Sequence, residues 1–118
     1  MLRIIELTNE NLIAAKLEGK VSKEDIEKIH PLIHKILKTH NKVDFYIEMH
    51  DFHGYDLQGL LGDLKVDAPH LSDYGKMAFV GEKKWQEWAA KATDFFTGTE
   101  VRYFTLDDKE TAKKWIEE

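Results

Sequence analysis

Apolar and polar residues alternate along this chain with two periods, one typical of strands and one typical of helices. The apolar runs Leu2 to Leu7 and Leu12 to Leu17 are separated by the polar, Asn-containing segment 8–11, a composition typical of a hairpin turn. We therefore expect the chain to begin with two antiparallel strands. Three later apolar segments predict further strands at residues 43–49, 76–80 and 100–104.

Helical spacing of apolar positions predicts four helices. The first begins with Ser22 as its N-cap, carries two acids in its first turn and extends to about Lys38. Pro31 lies inside this helix and lacks a backbone donor, so we expect a kink or a loosened turn there. The other helices are predicted at residues 57–64, 83–93 and 107–116.

The predicted order of elements is β, β, α, β, α, β, α, β, α. Strands that alternate with helices imply parallel crossovers, so we expect an α/β fold with a mixed sheet of about five strands and about four helices. The N-terminal hairpin is antiparallel, and parallel βαβ units follow it. A length of 118 residues fits one domain over residues 1–118. Residues 65–74 fit either a short helix or a connection, and Trp115 is expected to fasten the last helix to the sheet.

The composition excludes several classes of function. The chain contains no cysteine, so disulfides, thiolate zinc sites, iron–sulfur clusters and cysteine catalysis are excluded, and a cytoplasmic location is favoured. A formal net charge of -5 with acids and bases interspersed gives no basic stripe for a phosphate backbone, which argues against a nucleic-acid partner. No apolar run approaches the roughly 18 residues of a membrane span, and Glu6 interrupts the N-terminus where a signal peptide would stay apolar.

Four stretches of the sequence carry a resemblance to a known family. They are LEGKVSKED at residues 17–25, AFVGEKKW at 78–85, EVRYF at 100–104 and AKKWI at 112–116. Together they resemble the SpoIIAA-like proteins, which are similar to STAS domains and to the anti-sigma-factor antagonists. The same overall shape resembles the CRAL-TRIO lipid carriers. The resemblance implies a fold more specifically than a function, because one fold can host many activities.

In the phosphoregulated antagonists, the loop after the third strand carries an Asp-Ser-Ser-Gly-Leu pattern, of which one Ser accepts a phosphate from a partner kinase. The matching stretch of this chain is Asp-Leu-Gln-Gly-Leu at residues 56–60. Leu57 and Gln58 replace both hydroxyl residues, so this site cannot accept a phosphate. What the resemblance still implies is recognition of a partner by this loop and the helix after it.

The junction that follows the strand at residues 43–49 is the predicted functional site. Its sequence indicates a sharp loop from Asp51 and then a helix start, and no Ser, Thr or Cys lies between Lys42 and Pro69 to act as a nucleophile. We therefore expect a non-catalytic binding or regulatory module whose protein partner contacts this loop. The residues predicted to bind the partner are Asp51, His53, Tyr55, Asp56, Leu57 and Gln58.

An alternative interpretation is a carrier or sensor of a small apolar, lipid-like ligand. Gly59 and Gly62 weaken the helix at 57–64, which could move outward, and the aromatic residues Trp85 and Trp88 could line a pocket beside it. The same aromatic stripe is also what an ordinary core would contain. The residues predicted to line this pocket are Phe52, Leu60, Leu64, Trp85, Trp88, Phe95 and Phe96.

The residue pattern gives little support for a metal site. One loop concentrates imidazoles and carboxylates that could bind a divalent ion, but their spacing matches no metal motif, and capping of the next helix is the simpler interpretation. This set is His50, Asp51, His53 and Asp56. On the first helix, His30 and His34 stand one turn apart without a third ligand. We expect no metal and no cofactor.

Catalysis by an acid and a base would require carboxylates that converge in a cleft, and Glu48, Asp51 and Asp56 are the only such set near the loop. The chain has no dinucleotide-binding fingerprint and no phosphate-binding glycine loop. We therefore expect no enzyme activity. A homodimer formed through an exposed apolar patch or a sheet edge is compatible with the sequence, which does not specify one.

Overall fold

Five strands form one mixed sheet in the computed structural model, which describes residues 2–5, 10–54, 74–82 and 100–118. The strands lie side by side in the order in which they occur along the chain. The strands are β1 Leu2–Ile5, β2 Leu12–Val21, β3 Val43–Gly54, β4 Tyr74–Gly81 and β5 Glu100–Thr105. β1 is antiparallel to β2, and each later strand is parallel to its predecessor. The predicted mixed sheet with an antiparallel N-terminal hairpin is confirmed.

Two of the four predicted helices lie in the described part of the chain. The first is divided into α1 Lys23–Glu27 and α2 His30–Leu37, and the last comprises a 3-10 turn, Leu106–Asp108, and α3 Lys109–Glu117. Outside the described residues lie the helices predicted at 57–64 and 83–93 and nearly all of the undecided segment 65–74. None of the helices in the described ranges has the length and apolarity needed to cross a bilayer.

Where a kink was expected at Pro31, the helix is completely interrupted just before this residue. The break falls at Lys28 and Ile29. Pro31 lies in the first turn of α2, where a backbone N–H has no partner within the helix, so the missing donor costs nothing there. Buried Ile29 then anchors the start of α2 in the core.

Ser22 caps α1 as predicted. Its Oγ accepts the main-chain N–H of Asp25 at 3.3 Å, while the main-chain N–H of Ser22 donates to Oδ2 of Asp25 at 3.0 Å. This reciprocal pair is a capping box with Asp as the acidic member, and it satisfies two backbone donors that the helix cannot pair internally. The hydrogen bond from the Ser22 backbone lowers the pKa of the Asp25 carboxyl, against the smaller opposing effect of burial.

Side chains of β3 alternate between two separate core clusters, because successive residues of a strand point to opposite faces. Odd-numbered residues pack towards the α1–α2 segment, and Tyr46 packs towards α3. The first cluster includes Val43, Phe45, Ile47, Met49, Ile29 and Ile33, and the second includes Tyr46, Ala112, Trp115 and Ile116. β3 is therefore the central strand, with helices over both faces and a strand on each edge.

Contacts with Trp115 and the end of α3 fasten the last helix to the sheet, as expected. Nζ of Lys76 donates to the main-chain oxygens of Trp115 and Glu118, both at 3.2 Å, and so satisfies carbonyls at the C-terminal end of the helix. The same ammonium lies 5.4 Å from the centroid of the Trp115 ring, and Cζ of Arg102 lies 4.9 Å from it. Two cations from neighbouring strands thus contact one buried indole.

A bulge bends the carboxyl ends of β2 and β3. Glu18 pairs with His50, but Lys20 pairs with His53, so β3 holds one extra residue between these pairs. Asp51 has a φ of 49° and Gly19 a φ of 59°, both in the left-handed region. The sharp loop predicted from Asp51 is therefore wrong, because β3 continues through the bulge to Gly54.

Candidate functional site

A buried carboxylate lies in the middle of the central strand, three residues before Asp51. Glu48 is 3% exposed and is the only charged residue buried in the described part of the chain. Oη of Tyr46 donates to its Oε1 at 2.6 Å, and Nε2 of His50 contacts its Oε2 at 2.6 Å. The three residues are spaced by two along β3, which places them on one face of the sheet. Both oxygens of the carboxylate are therefore engaged by its own strand.

Opposing effects set the ionisation of Glu48. Burial raises the pKa of its carboxyl, but the hydrogen bonds from Tyr46 and His50 and the positive charges of His50 and Lys109 outweigh burial, and the net pKa lies below the ordinary value of 4.5. Glu48 is thus a carboxylate at neutral pH. Because a carboxylate can only accept, Nε2 of His50 carries the proton in this contact.

Tyr46 remains a neutral donor. Burial, the hydrogen bond to Glu48 and the charge of that carboxylate all raise the pKa of the Tyr46 phenol far above its usual value of 10.0. His50 differs from its two partners because about a third of its side chain is exposed. The network therefore connects the buried core to solvent through the imidazole of His50, whose ring is oriented by Glu48.

Asp51 follows this network and occupies the bulge. It is exposed, and its main-chain N–H donates to Oε1 of Glu82 at 3.1 Å. Glu82 comes directly after β4, so this bond ties the carboxyl ends of two neighbouring parallel strands together. In open α/β sheets, this edge is where ligands and partners usually bind. The bulge fixes Asp51 at that edge in a conformation that few residues other than glycine adopt.

The position of Glu82 is fixed from β5. Oη of Tyr103 donates to the main-chain oxygen of Glu82 at 2.6 Å. Burial, together with the charge of Glu82, raises the pKa of the Tyr103 phenol to about 12. The phenol passes so close to Gly81 that a Cβ added there would lie 2.8 Å from Oη. Beside this contact is an open cleft of about 470 Å³, bordered by Gly81, Glu82, Thr105, Leu106 and Asp107.

The described structure contains only part of the predicted partner-binding set. Asp51 is exposed at the expected edge, and the backbone of His53 lies in β3 rather than in a loop. The rest of the set lies outside the described residues, namely Tyr55, Asp56, Leu57 and Gln58. Their role stays a prediction.

The predicted apolar pocket is also untested by the structure. The backbone of Phe52 lies in β3. The other pocket residues lie outside the described ranges, namely Leu60, Leu64, Trp85, Trp88, Phe95 and Phe96. Among the residues that the structure describes, no group of three His, Asp or Glu side chains is placed to hold a metal ion.

The sequence interpretation missed the network beneath the site. It considered Glu48 as a candidate acid or base and His50 as a candidate metal ligand, but it did not connect either with Tyr46. The signal was present, because Glu48 is a charged residue inside an apolar strand and Tyr46 and His50 share its face at a spacing of two. A charge in such a position requires partners on the same face.

A model of the SpoIIAA-like family matches residues 12–117 of the chain. The chain belongs to the SpoIIAA-like family. Among solved structures, this SpoIIAA-like protein is similar to the crystal structure of an uncharacterised protein from the DUF3478 family of Shewanella loihica PV-4, which has a SpoIIAA-like fold. The TM-score is 0.68 and the identity 27%, over 98% of this chain and 92% of that chain. The predicted resemblance is confirmed.

No curated protein matches this SpoIIAA-like chain. The comparisons therefore identify a fold and a family but assign no activity. Within that fold, the carboxyl edge of the sheet combines an oriented imidazole, an exposed acid at a bulge and an open cleft.

Proposed function

We propose that this SpoIIAA-like domain is a non-catalytic binding module that engages a protein partner through the carboxyl end of β3 and the segment that follows, as far as Gln58. One observation carries the proposal: exposed Asp51 is fixed at a bulge by the bond from its N–H to Glu82. Bulges often lie beside functional sites, and ligands bind outside the carboxyl ends of the strands in open α/β sheets, which supports a binding role for this acid.

The fixed geometry favours binding because less freedom is lost when a partner docks. A non-glycine residue in the left-handed region costs roughly 1 kcal/mol or more, and such conformations cluster at functional sites. Here Glu82 and the bulge stabilise the conformation before any partner arrives. Preorganisation of this kind strengthens association by reducing its entropic cost.

The charge of the edge indicates the kind of partner. Asp51 in β3 and Asp107 in the 3-10 turn after β5 are both exposed, and Glu82 directly follows β4, the strand between β3 and β5. A partner surface that presents Lys or Arg would be complementary, and complementary charge mainly speeds association and selects the correct partner. The same acids would repel an anionic partner.

The network of Tyr46, Glu48 and His50 supports a structural role more than an acid–base one. A catalytic base needs a free oxygen within reach of the substrate proton, whereas both oxygens of Glu48 already accept hydrogen bonds. Glu48 thus orients His50 beneath the surface that Asp51 presents. A binding surface of fixed geometry requires such a rigid sheet beneath it.

The test is capture of a partner from the native host by immobilised protein. Asp51→Lys should lose the captured protein, and so should the double variant Asp56→Lys with Leu57→Glu. Glu100→Lys is the matched control, because Glu100 is also exposed but begins β5 at the opposite end of the sheet. Capture that is the same for all variants, each shown to be folded by circular dichroism, would remove the proposal.

A cytoplasmic location is part of this proposal. The absence of cysteine supports a cytoplasmic setting, where a partner would meet the domain in a reducing environment.

The alternative function is carriage of a small apolar ligand between the helix at 57–64 and the aromatic residues Trp85 and Trp88. Native mass spectrometry of gently purified protein tests it, and a species without bound mass would count against it.

A further inference from the structure

A second cleft lies at the amino end of the parallel strands, between the C-terminal half of α2 and the β1–β2 hairpin. Its volume of about 430 Å³ is in the range of small-molecule sites. Most of its wall is apolar and comes from Ile4, Ile5, Leu12, Ile13, Leu32 and Ile36. Ile4 is 48% exposed, more than any other large apolar residue in the described part of the chain. The cleft therefore offers apolar surface that the described part of the fold does not cover.

Polar side chains border this cleft on the α2 side. Nε2 of His40 lies 4.0 Å from Oε2 of Glu10, and Nδ1 of the same ring lies 2.9 Å from Oγ1 of Thr39. Lys35 also borders the cleft, and it is exposed and forms no ion pair with any described residue. Among the described residues at the rim, its ammonium is the cation without a carboxylate partner.

The described lining of the cleft contains one acid and one lysine, Glu10 and Lys35. The carboxylate of Glu10 faces the imidazole of His40, whereas Lys35 has no such partner among the described residues. A lysine beside an apolar surface favours a ligand that carries both a negative charge and an apolar part.

We propose that this cleft binds a small organic anion with an aliphatic chain, such as a medium-chain carboxylate. The chain would lie against the apolar wall, and the carboxylate would face Lys35 at the rim. Each methylene group that leaves water strengthens binding roughly fourfold, so the affinity should rise with chain length until the cleft is full. The carboxylate would fix the direction in which the ligand enters.

Titration calorimetry of the full chain with decanoate tests the proposal, with decyltrimethylammonium as the cationic ligand of equal chain length. The wild type should bind decanoate more tightly than the cation. Lys35→Glu should weaken decanoate binding by roughly fivefold or more and reverse this preference, because it replaces an attraction with a repulsion. Lys38→Glu is the matched control, since Lys38 directly follows α2 and is exposed but is not among the residues that border the cleft.

A second variant tests the wall. Ile4→Asp puts a charge on an exposed edge residue, which the fold should tolerate, and it should abolish the increase in affinity with chain length. Asp51→Lys should leave decanoate binding unchanged, so failure here is distinguishable from failure of the proposed partner site.

Several results would overturn the proposal. One is no heat of binding for decanoate, and another is equal weakening by Lys35→Glu and Lys38→Glu, which would indicate attraction to a general basic surface. Binding to vesicles of anionic lipid without binding to free decanoate would assign the surface to a membrane instead. A dimer that Ile4→Asp dissociates would assign the cleft to a second copy of the chain.

Discussion

The side chain of Asp44 serves as a hydrogen-bond acceptor for the backbone of β4: its Oδ1 accepts the main-chain N–H of Lys76 at 2.9 Å. The bond lies at an irregularity in the sheet, where Val43 pairs with Tyr74 but Phe45 already pairs with Met77. The extra residue of β4 leaves a backbone donor that no backbone carbonyl of β3 accepts, and the Asp44 carboxylate supplies the missing acceptor. A Cβ added at Gly75 would overlap that oxygen.

Replacing Asp44 should therefore destabilise the fold through one backbone N–H. Asp44→Ala leaves the donor of Lys76 unsatisfied, and we expect a loss of about 1–2 kcal/mol in the free energy of unfolding. Asp44→Asn keeps a carbonyl oxygen at the same position and should lose less. Urea denaturation of the three proteins measures the difference, and equal losses in both variants would contradict the role of Oδ1.

Removal of the buried carboxylate should cost more. Glu48→Ala takes the acceptor away from the buried hydroxyl of Tyr46, and we expect a loss of about 2–3 kcal/mol in the free energy of unfolding. In a Tyr46→Phe background, the same change should cost markedly less, because no hydroxyl is left unpaired. Strictly additive losses in the double-mutant cycle would show that the hydroxyl and the carboxylate act independently.

Acid should destabilise the protein partly through Glu48. Its pKa is lower in the folded protein than the ordinary 4.5, so the unfolded chain binds the proton first as the pH falls. The stabilisation is present above pH 4.5 and is lost as the pH drops through the lower folded value. Glu48→Gln should reduce the slope of the free energy of unfolding against pH in this acid range. Measurements at several pH values give that slope.

Glu24→Gln is the control for this dependence of stability on pH, because Glu24 is an exposed carboxylate on α1. It should leave the slope close to that of the wild type. If Glu48→Gln and the wild type had the same slope, the folded carboxyl would have to titrate as it does in the unfolded chain.

Raising the pH should destabilise the protein through the phenol of Tyr103. Its pKa rises from 10.0 to about 12 on folding, so its contribution is present below pH 10 and is lost as the pH rises towards 12. Tyr103→Phe removes this titration and should weaken the alkaline loss of stability, at the expense of about 1 kcal/mol at neutral pH for the hydrogen bond to Glu82. Unfolding followed by circular dichroism across this range gives both values.

Tyr103 also allows a test of its close contact with Gly81. Gly81→Ala should destabilise the wild type by about 1–3 kcal/mol, because the new methyl group meets Oη of Tyr103. In Tyr103→Phe the obstructing oxygen is absent and the cost of the alanine should fall, although Met49 stays close. An unchanged cost would assign the strain to Met49 alone.

The alternation of the sequence predicted the central strand well, because a buried strand must place apolar residues on the faces that helices cover. Phe45 and Ile47 pack on one cluster and Tyr46 on the other, as the pattern of a strand covered on both faces requires. The capping residue Ser22 was predictable for the same local reason, since its partner is three residues away.

Features that depend on distant residues could not be predicted in this way. The segment from Asp51 to Gly54 has the composition of a turn, and it stays in β3 because β2 pairs with it across the bulge at Gly19. This outcome was decided by pairing between distant strands, against the local preference. For the first helix, Pro31 indicated an interruption, but the local sequence did not show that the break at Lys28 and Ile29 would be complete.

The bulge shared by Gly19 and Asp51 has a consequence for regulation and for engineering. The direction in which the surface acid points is set by two segments that are far apart in sequence, and one of them carries no side chain at the critical position. A side chain introduced at Gly19 would strain its left-handed backbone and change the path of both strands. It would therefore alter what the edge recognises while leaving every group exposed there chemically intact.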